Sequence, residues 1–168
     1  MLTSVKRKTI QAEGGRFVIV ASLYNARYVD AMVSAAQTEL RRARAKIKLI
    51  RVPGAYEIPV VAAELARAGR GRDGGPSAII CLGVILRGET VHAAHIGEAV
   101  SRALMEIQLQ SGVPVIHEVL LLENAAQARA RCLDRRHNRG TEAAQTALAM
   151  ADLMNRLRSR LPGAAKLD

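Results

Sequence analysis

The stretch VILRGETVHAAHI, Val84 to Ile96, carries an arginine, a glutamate, a threonine and two histidines where an apolar run turns through polar residues into helical spacing. A helix that starts here leaves the backbone N–H groups of Glu89, Thr90 and Val91 as free donors at its positive end, a seat for a phosphate. The alternative is local: Thr90 simply caps the helix, its hydroxyl accepting from a first-turn amide. His92 lies in that first turn, placed to move protons near neutral pH, although a lone helical histidine is commonly just a surface residue. His95 follows three residues on. A His-x-x-His pair can ligate a metal, but no third ligand stands at suggestive spacing, so no metal is expected.

Other residues suit the same chemistry. Arg131 falls four residues after Gln127 on a short helix, so both should share one face, and a guanidinium grips phosphate with a fork of donors. It could equally be a solvated helical arginine. The chain has three Tyr, one Phe and no Trp, so Tyr24 and Tyr56 in polar loops stand out. They could sandwich a planar heterocycle or plug the rim of the core. Glu57, at a helix start, could accept from sugar hydroxyls or merely complement the helix dipole.

These residues need a frame. RFVIVASL (16–23), KIKLIRV (46–52), AIICLGVI (78–85) and VPVIHEVLLL (113–122) read as strands; the second alternates Lys with apolar residues, as an edge strand would. Helical spacing covers 27–44, 58–68 and 91–110. Asn124 caps a short helix to Cys132, and a last helix spans 141–161. GRGRDGGPS (69–77) reads as a surface loop. Strands alternating with helices predict an α/β fold: a three-layer α/β/α sandwich around a central four-stranded parallel sheet, flavodoxin-like in kind. Ligands bind such sheets beyond the carboxyl ends of the strands. That points to four turns: YNA, GAYE, RGETVH and LEN. The expected organisation is a basic N-terminal extension (1–15), a single domain (16–161) and a C-terminal tail (162–168).

Composition narrows the partners. The net charge of +10 gathers in VKRK (5–8), RRARAK (41–46) and NRLRSR (155–160), which read as solvated surface. No aromatics interleave with these charges to stack on bases, so no nucleic-acid partner is expected. The apolar runs are too short to span a bilayer, and no membrane partner is expected. No apolar segment with a cleavage site follows the basic start, and Cys81 and Cys132 have neither metal-ligand nor disulfide spacing. A cytoplasmic setting is the expectation.

Taken in order, LYNA, VPGAYEIP, LGVILRGETVH, GVPVIHEVLLLEN with QARAR, and HNRGTEAA resemble the lumazine synthase family of riboflavin biosynthesis, over about Arg16 to Leu157. VPGAYEIP with RGETVH at this separation carries most of that resemblance. It implies condensation of 5-amino-6-(D-ribitylamino)uracil with 3,4-dihydroxy-2-butanone 4-phosphate, releasing phosphate and water without metal or organic cofactor. Position by position, the resemblance implies that Tyr24 stacks on the pyrimidine ring, while Asn25, Tyr56 and Glu57 hold its edge and the ribityl chain. Val84, Ile85 and Leu86 line the heterocycle pocket. Glu89 and Thr90 supply amides to the substrate phosphate, Arg131 neutralises its charge, and His92 transfers protons. His117 and Arg139 match positions that approach from an adjacent subunit or the rim.

The resemblance further implies a homo-oligomer with sites between neighbouring subunits, a pentamer or decamer in particular, with riboflavin synthase as a further partner. His137 stands where a glycine is common in shell-forming members. Other departures from the family pattern are Leu23 for Arg, Val84 for Thr, His117 for an aromatic and LLLEN for a Thr-containing strand end. Leu23 and His117 make a non-catalytic flavin or lumazine binder conceivable, and a different phosphosugar or nucleotide enzyme on a similar sheet is the third reading.

Overall fold

The computed structural model describes residues 14–69 and 74–160. The VKRK run, most of the N-terminal extension, residues 70–73 of the Gly-rich loop and the C-terminal tail lie outside the described residues.

Each apolar run forms a strand: β1 (Arg16–Ser22), β2 (Lys46–Val52), β3 (Ala78–Leu86) and β4 (Val115–Leu122). All pair in parallel in the order β2-β1-β3-β4. The two central strands are apolar because both their faces are covered, and β2, with exposed Lys46 and Lys48, is an edge strand as its alternation predicts. Helices α1 (Ala26–Arg42) and α5 (Arg139–Arg160) cover one face, and α2 (Ile58–Ala68) and α3 (His92–Ser111) the other. The expected three-layer sandwich is thus the observed one.

Alternate strand residues supply two separate cores. Phe17, Ile19, Ile80 and Leu82 meet Met32, Leu40 and Leu148 on the α1/α5 face. Val20, Ile79 and Cys81 meet Ile58, Ala62 and Leu104 on the α2/α3 face. With hardly any aromatics, burial of Leu, Ile, Val and Met at about 1.5–3 kcal/mol each is the main stabilising term. Small residues bring α5 onto α1. A Cβ at Gly140 would lie 2.0 Å from the carbonyl oxygen of Met32, so only glycine permits that approach.

Several boundaries differ from the sequence reading. β4 starts at Val115, not Val113: Pro114 has no N–H to give a ladder, and its carbonyl instead accepts from Ile79 N–H at 2.8 Å. α5 starts at Arg139, not Thr141, because the Asn138 side chain accepts from Gly140 N–H at 2.8 Å and its carbonyl from Thr141 N–H at 3.1 Å. Asn124 caps α4 (Ala125–Ala128) through Gln127 N–H at 3.0 Å, as expected. The chain then widens into a π turn, Arg129–Leu133.

Candidate active site

The order β2-β1-β3-β4 makes the chain leave β1 towards one edge and return past it to β3, so the connections diverge above the carboxyl ends of β1 and β3. A cleft of about 1010 Å³ opens at that point. Tyr24 and Asn25 enter it from the turn after β1, Gly54 to Glu57 from the turn after β2, and Val84 to Leu86 with Gly88 and Thr90 from the end of β3. The first two turns of α3 close it with His92, Ala93, His95 and Ile96.

The cleft is built from backbone as much as from side chains. Asn25 sits in the left-handed region (φ 58°), a conformation its short amide tolerates, and donates from Nδ2 to the carbonyl of Val84 at 2.7 Å. This ties the start of α1 to β3 and engages part of a side chain expected to hold ligand. Tyr24 and Tyr56 are 74% and 63% exposed, so neither plugs the core; Tyr28 is the buried tyrosine. Gly54 leaves room for Glu57, whose Oε2 would lie 2.8 Å from a Cβ there.

At α3, Thr90 makes no capping bond: the helix begins at His92, and Val91 flanks it without a side-chain cap. The first amide there to find a backbone carbonyl is that of Ala94, on Val91 at 3.0 Å. The N–H groups of Val91, His92 and Ala93 are therefore open donors at the positive end of a 20-residue helix, beside the exposed His92.

Other expected residues lie elsewhere in the single chain. Glu89 is exposed in the turn and does not line the cleft. Arg87 pairs with Glu123 at 3.5 Å, which draws the turn after β4 to the end of β3 rather than into the cleft. Arg131 and Arg139 lie with Glu118 on the α5 side of β4, across the sheet from the α3 wall. Arg139 pairs with Glu142.

His117 faces α3. Its Nδ1 accepts from Val119 N–H at 3.2 Å, so the proton of the neutral ring is on Nε2, which donates to Ser101 Oγ at 2.8 Å. Ser101 in turn donates to the Gly97 carbonyl at 2.7 Å. The serine receives a proton donor rather than a base, so the pair is not an activated nucleophile. Loss of solvent lowers the pKa of His117, outweighing an opposing hydrogen bond with backbone.

Gly54, Ala55 and Gly88 fall within the turns that the sequence points to, whereas sequence reasoning passed over Ala93, Ile96 and Ala99 as lining residues and weighed His95 only as a metal ligand. For the α3 residues a signal existed: His92, His95, Ile96 and Ala99 recur at i, i+3, i+4 and i+7, one face of a helix. Among the described residues no three His, Cys, Asp or Glu side chains cluster to hold a metal, and no helix is long and apolar enough to cross a membrane.

Fold and cleft together define an open parallel α/β protein with a cleft where its sheet connections diverge. The profile of the 6,7-dimethyl-8-ribityllumazine synthase family matches residues 14–155, and the chain belongs to that family. It is 43% identical over 148 residues to 6,7-dimethyl-8-ribityllumazine synthase of Stenotrophomonas maltophilia (strain R551-3), covering 86% of this chain and 92% of the relative. The same-named protein of Xanthomonas campestris pv. campestris (strain B100) is 41% identical over 145 residues, covering 84% and 91%. That of Xanthomonas oryzae pv. oryzae (strain PXO99A) is likewise 41% identical, with the same coverage.

Proposed function

We propose that this chain condenses 5-amino-6-(D-ribitylamino)uracil with 3,4-dihydroxy-2-butanone 4-phosphate into 6,7-dimethyl-8-ribityllumazine, releasing phosphate and water, the penultimate step of riboflavin biosynthesis. One observation carries the reading: a single cleft holds two exposed tyrosine rings, a carboxylate, open helix-end amides and an exposed imidazole. A planar ring with a polyol chain and a phosphorylated ketone need those groups.

Tyr24 and Tyr56 take the pyrimidine between their faces, and Glu57 accepts from the ribityl hydroxyls. Val84, Ile85 and Leu86 form the apolar floor, with Asn25 fixing its end. The phosphate sits on the amides at Glu89, Thr90 and the start of α3. The ring 5-amine attacks the ketone and water leaves; loss of a proton beside the resulting imine expels phosphate, the enol formed becomes a ketone, and the ribitylamine nitrogen attacks it with loss of a second water to close the ring. His92 moves these protons, a task suited to imidazole near neutral pH. Holding two reactants together supplies much of the remaining acceleration.

Arg131 and Arg139 reach the phosphate from a neighbouring copy of the chain, and His117 covers the heterocycle from there. The protein is accordingly a homo-oligomer, a pentamer or a pair of pentamers. Subunit mixing tests this arrangement. His92→Ala and Arg131→Ala, each impaired alone, recover activity above the sum of the parents when mixed, because some interfaces then pair an intact His92 with an intact Arg131. Mixed assemblies that merely average the two parents would place both groups within one chain. The reaction itself is followed by the absorbance and green fluorescence of the product; product at no more than the uncatalysed rate would overturn the assignment.

A further inference from the structure

The first loop of the cleft is gripped from behind by a clamp that the reaction scheme leaves without a task. Arg51, next to last in β2, lies on the same face of that strand as Ile47, which packs against the α1/α5 core. Its guanidinium donates from Nη1 to the carbonyl of Ser22 at 3.3 Å, and from Nη2 to Asp30 Oδ1 in the second turn of α1. The fork thus joins the last residue of β1 to the helix that follows, and the segment it brackets is Leu23, Tyr24 and Asn25. Ser22 is fully buried and the Arg51 side chain is only 29% exposed, so this is more than a solvated surface pair. Arg51 does not itself line the cleft.

What the clamp steadies is the placement of an aromatic ring. Tyr24 is 74% exposed, so its place is set by its backbone rather than by packing around the ring. Leu23 N–H donates to the Val52 carbonyl at 2.8 Å and Tyr24 N–H to the Pro53 carbonyl at 3.1 Å, which tie the loop to the turn after β2. Arg51 adds the tie to α1. We propose that Arg51 is a positioning residue for Tyr24, holding the loop so that the ring stands ready to stack on the pyrimidine. The proposal rests on the reading of Tyr24 as the platform for that ring. A loop already in its binding geometry loses little freedom when ligand arrives, so removal of the clamp falls on affinity for the stacked partner. Arg is the residue for this task, since its rigid planar fork meets a carbonyl and a carboxylate at once. The phosphate seat, built from the turn after β3 and the start of α3, lies on other elements and is not held by Arg51.

The experiment is steady-state kinetics of the full chain, each substrate varied against a saturating concentration of the other. Wild type is compared with Arg51→Met, Asp30→Asn, Tyr24→Ala and the double variant Arg51→Met with Tyr24→Ala. The expected result is a pyrimidine KM raised roughly three- to ten-fold in Arg51→Met and by less in Asp30→Asn, with the butanone phosphate KM and kcat within about two-fold of wild type. Because the clamp acts through the ring, Arg51→Met adds nothing to the pyrimidine KM once Tyr24 is replaced. A wild-type pyrimidine KM in Arg51→Met, with KM raised in Tyr24→Ala, would overturn the proposal and leave the stacking reading intact. So would an undiminished effect of Arg51→Met in the Tyr24→Ala background, or a rise in both KM values together, the mark of a clamp that serves only the fold. Should Arg51→Met not fold, Asp30→Asn is judged by the same outcomes. An unchanged pyrimidine KM in Tyr24→Ala would overturn both.

Discussion

The side-chain amide of Asn25 donates to the carbonyl of Val84 at 2.7 Å, joining the first loop of the cleft to the strand that forms its floor. Asn25→Gly keeps the left-handed backbone available and removes only the amide, leaving the buried Val84 carbonyl without that donor. The expected cost is about 1–3 kcal/mol in chemical denaturation, with weaker binding of 6,7-dimethyl-8-ribityllumazine in a fluorescence titration. Wild-type stability and affinity together would show that the bond does not shape the cleft.

Gly140 and Met32 set the spacing of α5 on α1. Gly140→Ala places a methyl 2.0 Å from a backbone oxygen, and neither helix can yield without disturbing the core beneath. A loss of about 3 kcal/mol is expected in urea unfolding. Gly88→Ala is the control for stability, since a Cβ there meets nothing within 4 Å. Equal midpoints for the two variants would contradict the packing argument.

Thr90 does not cap α3. Thr90→Ala should therefore leave the thermal midpoint close to wild type, where removing a capping threonine costs about 1 kcal/mol. If its place beside the open amides matters for the phosphate, the change appears in KM for the butanone phosphate. A clear drop in stability would restore the capping role.

Glu118 links stability to pH. Burial raises its folded-state pKa from 4.5 to about 7, so the unfolded chain ionises first and stability falls as pH rises between those values. Glu118→Gln does not pass through that loss. It should match wild type near pH 4.5 and exceed it at pH 8 by on the order of 1–3 kcal/mol, measured by denaturant titration at both pH values. A variant less stable than wild type at pH 8 would mean that the carboxylate is a net asset to the fold.

The layers, the edge position of β2 and the location of the cleft were legible in the sequence because apolar runs, helical spacing and Gly- or Pro-marked turns all favour one alternating pattern. The π turn was not: nothing in QARARCL departs from ordinary helix composition. The Asn138 bonds that begin α5 early were equally hidden, because a residue seven-tenths of the way along a polar turn gives no sign of which amide it will meet. Within the site, the polar and aromatic residues stood out by type, whereas Gly54, Ala93 and Ala99 line the cleft through shape and backbone position and carry no chemical mark. Glu118 drew no attention because a lone glutamate in an apolar strand shows neither its burial nor the charges of Arg139 and Arg131 that act on it.

The central claim is that His92, at the open end of α3, moves the protons in this cleft. It is tested most directly by the turnover number of His92→Ala at saturating concentrations of both substrates, read from product fluorescence. The account predicts a fall of about ten-fold to a thousand-fold, the range of acid–base groups in a reaction that also proceeds slowly unaided. A turnover number equal to wild type would contradict it.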